Sequence, residues 1–353
     1  MNDLSFQYRA ELASALGHDA DPRPRLSVVV PCYNEEACLD VLYRRVIDAA
    51  RSSVGEDFEL VMIDDGSRDR TWDIMRDLAA KDDHVIGLRL SRNHGHQLAL
   101  SAGLDLCRGE LILIIDADPQ DPPELLGPMI ERMEAEGADV VYAARTARKG
   151  ETFVKRATAK LFYRMLSAAS DGTPIPLDTG DFRLMTRRAL DVLRSMPEEA
   201  RFIRGMVAWI GFKQVPFEYE RDERFAGETS YPFFKMVRLA LDALTGFSSL
   251  PLRLASYAGM LFTVLALILT VYSVGAWMSG QAVAGWTSLI VVVLVMGAVQ
   301  LFVLGVLGQY LGRLYTQSKN RPLYIVGDYA GNLKAQASLG IVAQRAATCA
   351  AKK

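Results

Sequence analysis

The stretch ELILIIDADPQDPPE, Glu110 to Glu124, decides the fold class. An unbroken apolar run, Leu111 to Ile115, stops abruptly at Asp116-Ala117-Asp118. Strands of a parallel sheet, buried on both faces, read as such runs, and turn residues bound them. Ligands of open α/β sheets gather at the carboxyl ends of the strands. Two carboxylates one residue apart at such an end can converge on a hard divalent cation, and Gln120 can add a neutral oxygen. The plainer reading is that Asp116 and Asp118 solvate a turn, and only the surrounding sequence separates the two.

Upstream, strand and helix patterns alternate. Leu26 to Val30 is β-branched and ends in Pro31-Cys32-Tyr33-Asn34-Glu35-Glu36; residues 36–51 then carry Leu39, Leu42, Val46, Ile47 and Ala50 at helical spacing. Phe58 to Ile63 predicts a second strand ending in Asp64-Asp65-Gly66-Ser67, followed by a helix with Trp72, Met75 and Leu78 on one face. Val85 to Leu90 predicts a third, running into Ser91-Arg92-Asn93-His94-Gly95-His96 and a helix over 97–107. Such alternation predicts a parallel sheet with right-handed crossovers. Three strand ends therefore carry polar clusters, PCYNEE, DDGS and DADPQD, on one side of the sheet. No GxGxxG follows the first strand and no GxxxxGK[ST] occurs, which argues against a dinucleotide fold and a P-loop NTPase.

Downstream, 124–136 reads as a helix and Ala138 to Ala143 as a strand, with Arg145 beyond its end. Arg145, Arg148, Lys149, Lys155, Arg156, Lys160 and Arg164 form a basic run opposed only by Glu151. Such a run is ordinarily a solvated face; beside a crevice it can equally receive an anionic head group. Asp181 and Arg183 alternate with Phe182 and Leu184 as in a short half-buried strand, and a plain internal ion pair accounts for them equally well. Residues 221–230 form a polar, glycine-containing loop with Arg221 and Arg224.

The totals exclude some classes. The formal charge of −2 over 353 residues suggests no nucleic-acid partner. Cys32, Cys38, Cys107 and Cys349 show no metal-ligand spacing and read as reduced cytoplasmic thiols. The first residues lack a signal-peptide pattern. From 231 to 247 the pattern suits a helix in a membrane interface. Residues 254–278 and 286–311 lack formal charge, and each is long enough to span a hydrocarbon core of ~30 Å. Arg253, Arg313, Lys319 and Arg321 flank the open ends of this hairpin, so the positive-inside rule places both termini in the cytoplasm.

Six motifs in order, VVVPCYNEE, VMIDDGSRDRT, LSRNHGHQLALSAG, DADPQDPPE, DTGDFRLM and FAGETSYP, followed by the hairpin, resemble the polyprenyl-phosphate glycosyltransferases. These are family 2 enzymes of the GT-A fold; the likeness spans 25–326 and is greatest to bactoprenol glucosyltransferases, with dolichol-phosphate mannose synthases more distant. It implies an α/β GT-A domain over 25–230 after a lead-in at 1–24, an interfacial helix at 231–250, a transmembrane hairpin over 251–315 and a cytoplasmic segment at 316–353. It further implies inverting transfer of one sugar, glucose from UDP-glucose by preference, to a polyprenyl phosphate at the inner membrane. Under the same resemblance Pro31, Tyr33, Glu35, Ile63, Asp65 and Ala117 would line the donor pocket, and Asp116, Asp118 and Gln120 would hold Mg²⁺ or Mn²⁺. Arg145 and Arg156 would face the acceptor phosphate, Asp181 the reacting centre, and Arg224 the donor diphosphate. Assembly as a homo-oligomer, a tetramer in particular, is also implied. One departure is Ser230, where relatives carry Lys in the glycine loop. A non-catalytic nucleotide-sugar-binding subunit is a competing reading; a processive polysaccharide synthase would need a QxxRW motif, which is absent.

Overall fold

The structure is a computed structural model describing residues 23–118, 120–145, 179–219, 250–279 and 286–331. The described part of the first unit is built on one sheet. Strands β1 (Leu26–Cys32) and β2 (Phe58–Asp64) are buried along their whole length, as their apolar runs require. With β3 (Val85–Leu90) and β4 (Leu111–Ile114) they form a parallel block. The crossovers are α1 (Leu39–Val54), α2 (Thr71–Lys81) and α3 (His96–Leu106). Helix α1 buries Leu39, Leu42, Val46, Ile47 and Ala50, the face its spacing predicts, and stops at Gly55 with φ 69°. Cys32 is level with Asp64, and Asp64 with Arg89, so the polar strand ends open on one edge of the sheet.

The second half reverses direction. Helix α4 (Leu126–Glu136) ends at the left-handed Gly137 and leads into β5 (Val140–Arg145). Strand β6 (Thr179–Thr186) lies antiparallel between β4 and β5. Helices α5 (Arg187–Ser195) and α6 (Ile203–Trp209) precede β7 (Gln214–Tyr219), which pairs parallel with β5. Because β6 runs against β4, with Arg183 opposite Ile114, its first residues lie beside the end of β4 that carries Asp116. The expected half-buried strand around Asp181 is instead buried from Asp181 to Met185, since β6 is internal to the sheet and covered on both faces.

Among the described residues eight strands join in the order β7-β5-β6-β4-β1-β2-β3-β8. The last, β8 (Val326–Ala330), pairs antiparallel with β3 and covers what would be an open edge. Among the described residues, 320–331 belong to the same compact unit as the sheet.

The described residues of the other unit form α7 (Leu250–Met278) and α8 (Trp286–Ser318). Many of their described apolar side chains are exposed, with Met260 at 70%, Val271 at 67%, Leu301 at 72% and Leu311 at 67%. Among the described residues, Val295–Ser318 is long and apolar enough to cross a membrane, and none of it is buried. The expected interfacial helix lies outside the described residues but for its last position.

Candidate active site

The loops after β1 and β2 are stitched together by their own polar groups. Asn34, in a left-handed conformation (φ 56°), donates its N–H to Ser67 Oγ (3.0 Å) and accepts from the N–H of Arg68 (2.9 Å). The N–H of Glu35 donates to Thr71 Oγ1 (2.9 Å). Gly66 permits the close approach of the next loop: φ is 68°, and a Cβ there would lie 2.6 Å from the carbonyl carbon of Arg92. Asp65, 2% exposed, accepts the N–H groups of His94 (2.7 Å) and Gly95 (2.9 Å). Burial, with Asp64 beside it, pushes the Asp65 carboxyl up despite those donors.

The DADPQDPPE stretch is pinned from behind. Tyr219 on β7 donates its hydroxyl to Asp121 Oδ1, and Arg45 on α1 holds Glu124 through two hydrogen bonds of 2.8 Å. Asp116 and Asp118 are left half-buried at the crevice, with Ala117 and Gln120 buried beside them. Asp116 Oδ1 is buried without a hydrogen bond, its near neighbour being His96 Nε2 at 3.5 Å. Burial pushes the Asp116 carboxyl up to about 6, His96 opposing and Asp181, Asp121 and Asp118 adding to the rise. Glu35 is pushed up to about 7 by burial and then by Asp118, Asp69 and Asp116. Glu35 and Asp116, pushed up by burial and neighbouring negative charge, with a buried unbonded oxygen on Asp116, make a crevice whose charge a hard divalent cation would neutralise. The fit is to Asp116 and Asp118, with Gln120 adjoining.

Beside them lies a second cluster that the sequence did not disclose. Asp181, 1% exposed, accepts from Arg204 Nε (2.8 Å) and Nη2 (3.2 Å), and from Gln97 Nε2 (3.1 Å); His96 Nε2 lies 3.1 Å from it. Gln97 accepts the Ile203 N–H (2.9 Å), so one side chain locks α3, β6 and α6 together. Burial opposes the Asp181 charge, but the hydrogen bonds of His96 and Arg204 and the charges of Arg204 and Arg183 outweigh it. The carboxyl is held far below the usual range. The expected Asp181–Arg183 pair is only a 4.0 Å approach; Arg183 instead bonds the main-chain carbonyls of Asp181 (3.2 Å) and Gly180 (3.1 Å). His96, Asp116 and Asp181 together could converge on a metal. With Arg204 engaging both Asp181 oxygens and His96 beside one of them, Asp181 is held by hydrogen bonds, while Asp116 Oδ1 stays unbonded.

Of the other expected residues, Tyr33 is 41% exposed at the crevice and Pro31 is buried in β1. Ile63 is 0% exposed, and a Cβ at Gly103 would come within 2.3 Å of its Cδ1, so its side chain packs beneath α3. Arg145 ends β5, while its side chain, Arg156, Arg224 and Ser230 lie outside the described residues. His96, Gln97 and Arg204 were missed as site residues. A hint existed for the first two, in HGHQ at a strand end; Arg204 carried none.

A largely parallel sheet, an acidic pair beyond its central strand and an antiparallel strand bringing a third carboxylate beside them define a GT-A glycosyltransferase. The chain belongs to glycosyl transferase family 2, whose family description matches residues 27–194. It is 48% identical over 303 residues to the uncharacterized glycosyltransferase YkcC of Bacillus subtilis (strain 168), covering 85% of this chain and 92% of that one. It is 41% identical over 308 residues to the prophage bactoprenol glucosyl transferase homolog of Escherichia coli (strain K12), covering 86% and 98%. The bactoprenol glucosyl transferase of Shigella phage SfV is 40% identical over 309 residues, covering 86% and 98%.

Proposed function

We propose that this glycosyltransferase moves glucose from UDP-glucose to the phosphate of a polyprenyl phosphate, with inversion, at a membrane surface. The observation that carries the reading is the convergence of Asp116, Asp118 and Glu35 on one crevice beside the Asp181–Arg204–His96 cluster. The bactoprenol glucosyl transferases among the relatives support the sugar and the lipid.

The acceptor phosphate is an anion at neutral pH, so its oxygen can attack the anomeric carbon without a base; the carbon–oxygen bond to UDP breaks, and UDP leaves. The chemical difficulty is the repulsion between two anions. Mg²⁺ or Mn²⁺ held by Asp116, Asp118 and Gln120 would take up charge on the departing diphosphate. Arg145, Arg156 and Arg224 are assigned to the acceptor and donor phosphates. Tyr33 offers an exposed ring against which a base can stack. Asp181 stays ionised, with almost no exposed surface, and reaches the crevice through His96 and Arg204, which are 44% and 30% exposed. Its role is to orient those two groups, not to remove a proton.

The exposed apolar faces of α7 and α8 support attachment to a membrane; a hairpin with the catalytic unit and both termini on the cytoplasmic side is part of the proposal, suggested by the basic residues Arg253, Arg313, Lys319 and Arg321 in the sequence. A long lipid acceptor cannot enter water, so such an anchor brings the crevice to the bilayer. Homo-oligomerisation is part of the same proposal. The test is incubation of full-length protein with polyprenyl phosphate, a panel of labelled nucleotide-sugars and Mg²⁺ or Mn²⁺, with the product identified by mass. A glucosylated lipid is expected. Another sugar on the lipid corrects the donor, and nucleotide binding without any lipid product sinks the enzymatic reading in favour of a binding subunit.

A further inference from the structure

The residues after α8 reach the crevice from behind. Beyond the β3–β8 pairing, the N–H of Ser91 donates to the carbonyl of Ile325 (2.8 Å). The main chain of Leu323 lies beside the His94 ring. Tyr324, 1% exposed and among the largest fully buried side chains, donates its hydroxyl to Asp105 Oδ2 (3.0 Å) on α3. Gly327 lies against Ser91, where a Cβ would come within 3.1 Å of the Ser91 Cα. Residues 323–327 thus grip the β3–α3 loop at one end and α3 at the other.

The inner side of that loop is the site. His94 and Gly95 give Asp65 its two N–H donors, and the next two residues, His96 and Gln97, contact Asp181. Gly95 turns the chain with φ 99°, a conformation open to alternatives when nothing holds it. A loop lined by catalytic groups on one face needs support on the other to keep them in place.

We infer that Tyr324 is a positioning residue for the donor crevice. The strand returning after α8 clamps the β3–α3 loop, so the crevice is complete only once the chain has passed through both long helices and come back. The inference rests on reading the crevice as a UDP-sugar site. It makes donor binding conditional on a segment far along the sequence and directly continuous with the apolar helix.

The test uses full-length protein in detergent, as wild type, Tyr324→Phe, Tyr324→Ala, Asp105→Asn and the Tyr324→Phe/Asp105→Asn double variant. Amide exchange over 91–98 should quicken in Tyr324→Phe and Asp105→Asn while the exchange of β1 and β2 stays at the wild-type rate. KM for UDP-glucose should rise by about tenfold, the scale of one lost hydrogen bond to a charged group, with a smaller change in kcat. The double variant should be no worse than either single one, since both remove the same bond. Wild-type exchange over 91–98 together with an unchanged KM in Tyr324→Phe would overturn the inference, whether or not Tyr324→Ala folds. If the wild type does not turn over UDP-glucose, the functional reading falls, and the exchange data still judge the clamp.

Discussion

Arg204 approaches Asp181 with two nitrogens, Nε at 2.8 Å from Oδ1 and Nη2 at 3.2 Å from Oδ2, across a separation of 23 residues. This fork fixes α6 against β6. Replacing Asp181 with Ala strands a guanidinium and should cost about 3–5 kcal/mol of stability, as for breaking one side of a buried pair. Arg204→Lys keeps the charge and loses the fork. It should retain the fold and lose most transfer activity, as read by thermal melts and the lipid-glucose assay.

The same pair sets an acid limit. Asp181 has a folded-state pKa well below its unfolded value, so its contribution is present above the unfolded value of about 4 and is lost as pH falls toward the folded one. Urea unfolding followed from neutral pH down to about pH 3 should show a loss of stability below about pH 5. In Asp181→Asn that slope should be shallower, from a lower plateau. Equal slopes in the two proteins would mean that other carboxylates carry the acid sensitivity.

Asp118→Ala should leave the strands intact, since Asp118 lies beyond the end of β4 and half-buried at the crevice. Transfer should fall by at least about a hundredfold, the scale of losing one charge-stabilising group. Chelation of divalent ions should do the same to the wild type, with recovery on adding Mn²⁺ or Mg²⁺. Undiminished turnover in either case would remove the metal assignment.

Gly66→Ala tests the close contact between loops. The new Cβ would lie 2.6 Å and 2.7 Å from main-chain atoms of Arg92 and Asn93, at φ 68°. Neither the conformation nor the contact can relax cheaply, so a loss of more than about 1 kcal/mol is expected in denaturant titration. Donor affinity should fall with it, because the displaced loop carries the N–H donors of Asp65.

Glu59 offers a contrast at the opposite end of the sheet. It is 3% exposed and accepts from Ser27 Oγ (2.6 Å), from the N–H of Arg108 (2.5 Å) and from Arg108 Nε (3.0 Å). Glu59→Gln should lower the melting temperature while KM for the donor stays at the wild-type value. A raised KM would show that this buried network reaches the crevice.

Local physics made much of this molecule legible in its sequence. Apolar runs ending in PCYNEE, DDGS and DADPQD announced buried parallel strands with a polar edge, because strand burial and turn chemistry are written within a few consecutive residues. The two long apolar helices followed from composition alone. What the tertiary structure decided is non-local. Asp181 meets Arg204, His96 and Gln97 because β6 enters the sheet antiparallel beside β4, and no periodicity encodes which strand inserts where. Ile63 turned inward because α3 crosses it at Gly103. Residues 326–330 close the far edge by pairing with the backbone groups that β3 leaves open there. Sequence alone therefore named the carboxylates at the strand ends; the sheet order determined which cations and amides hold them.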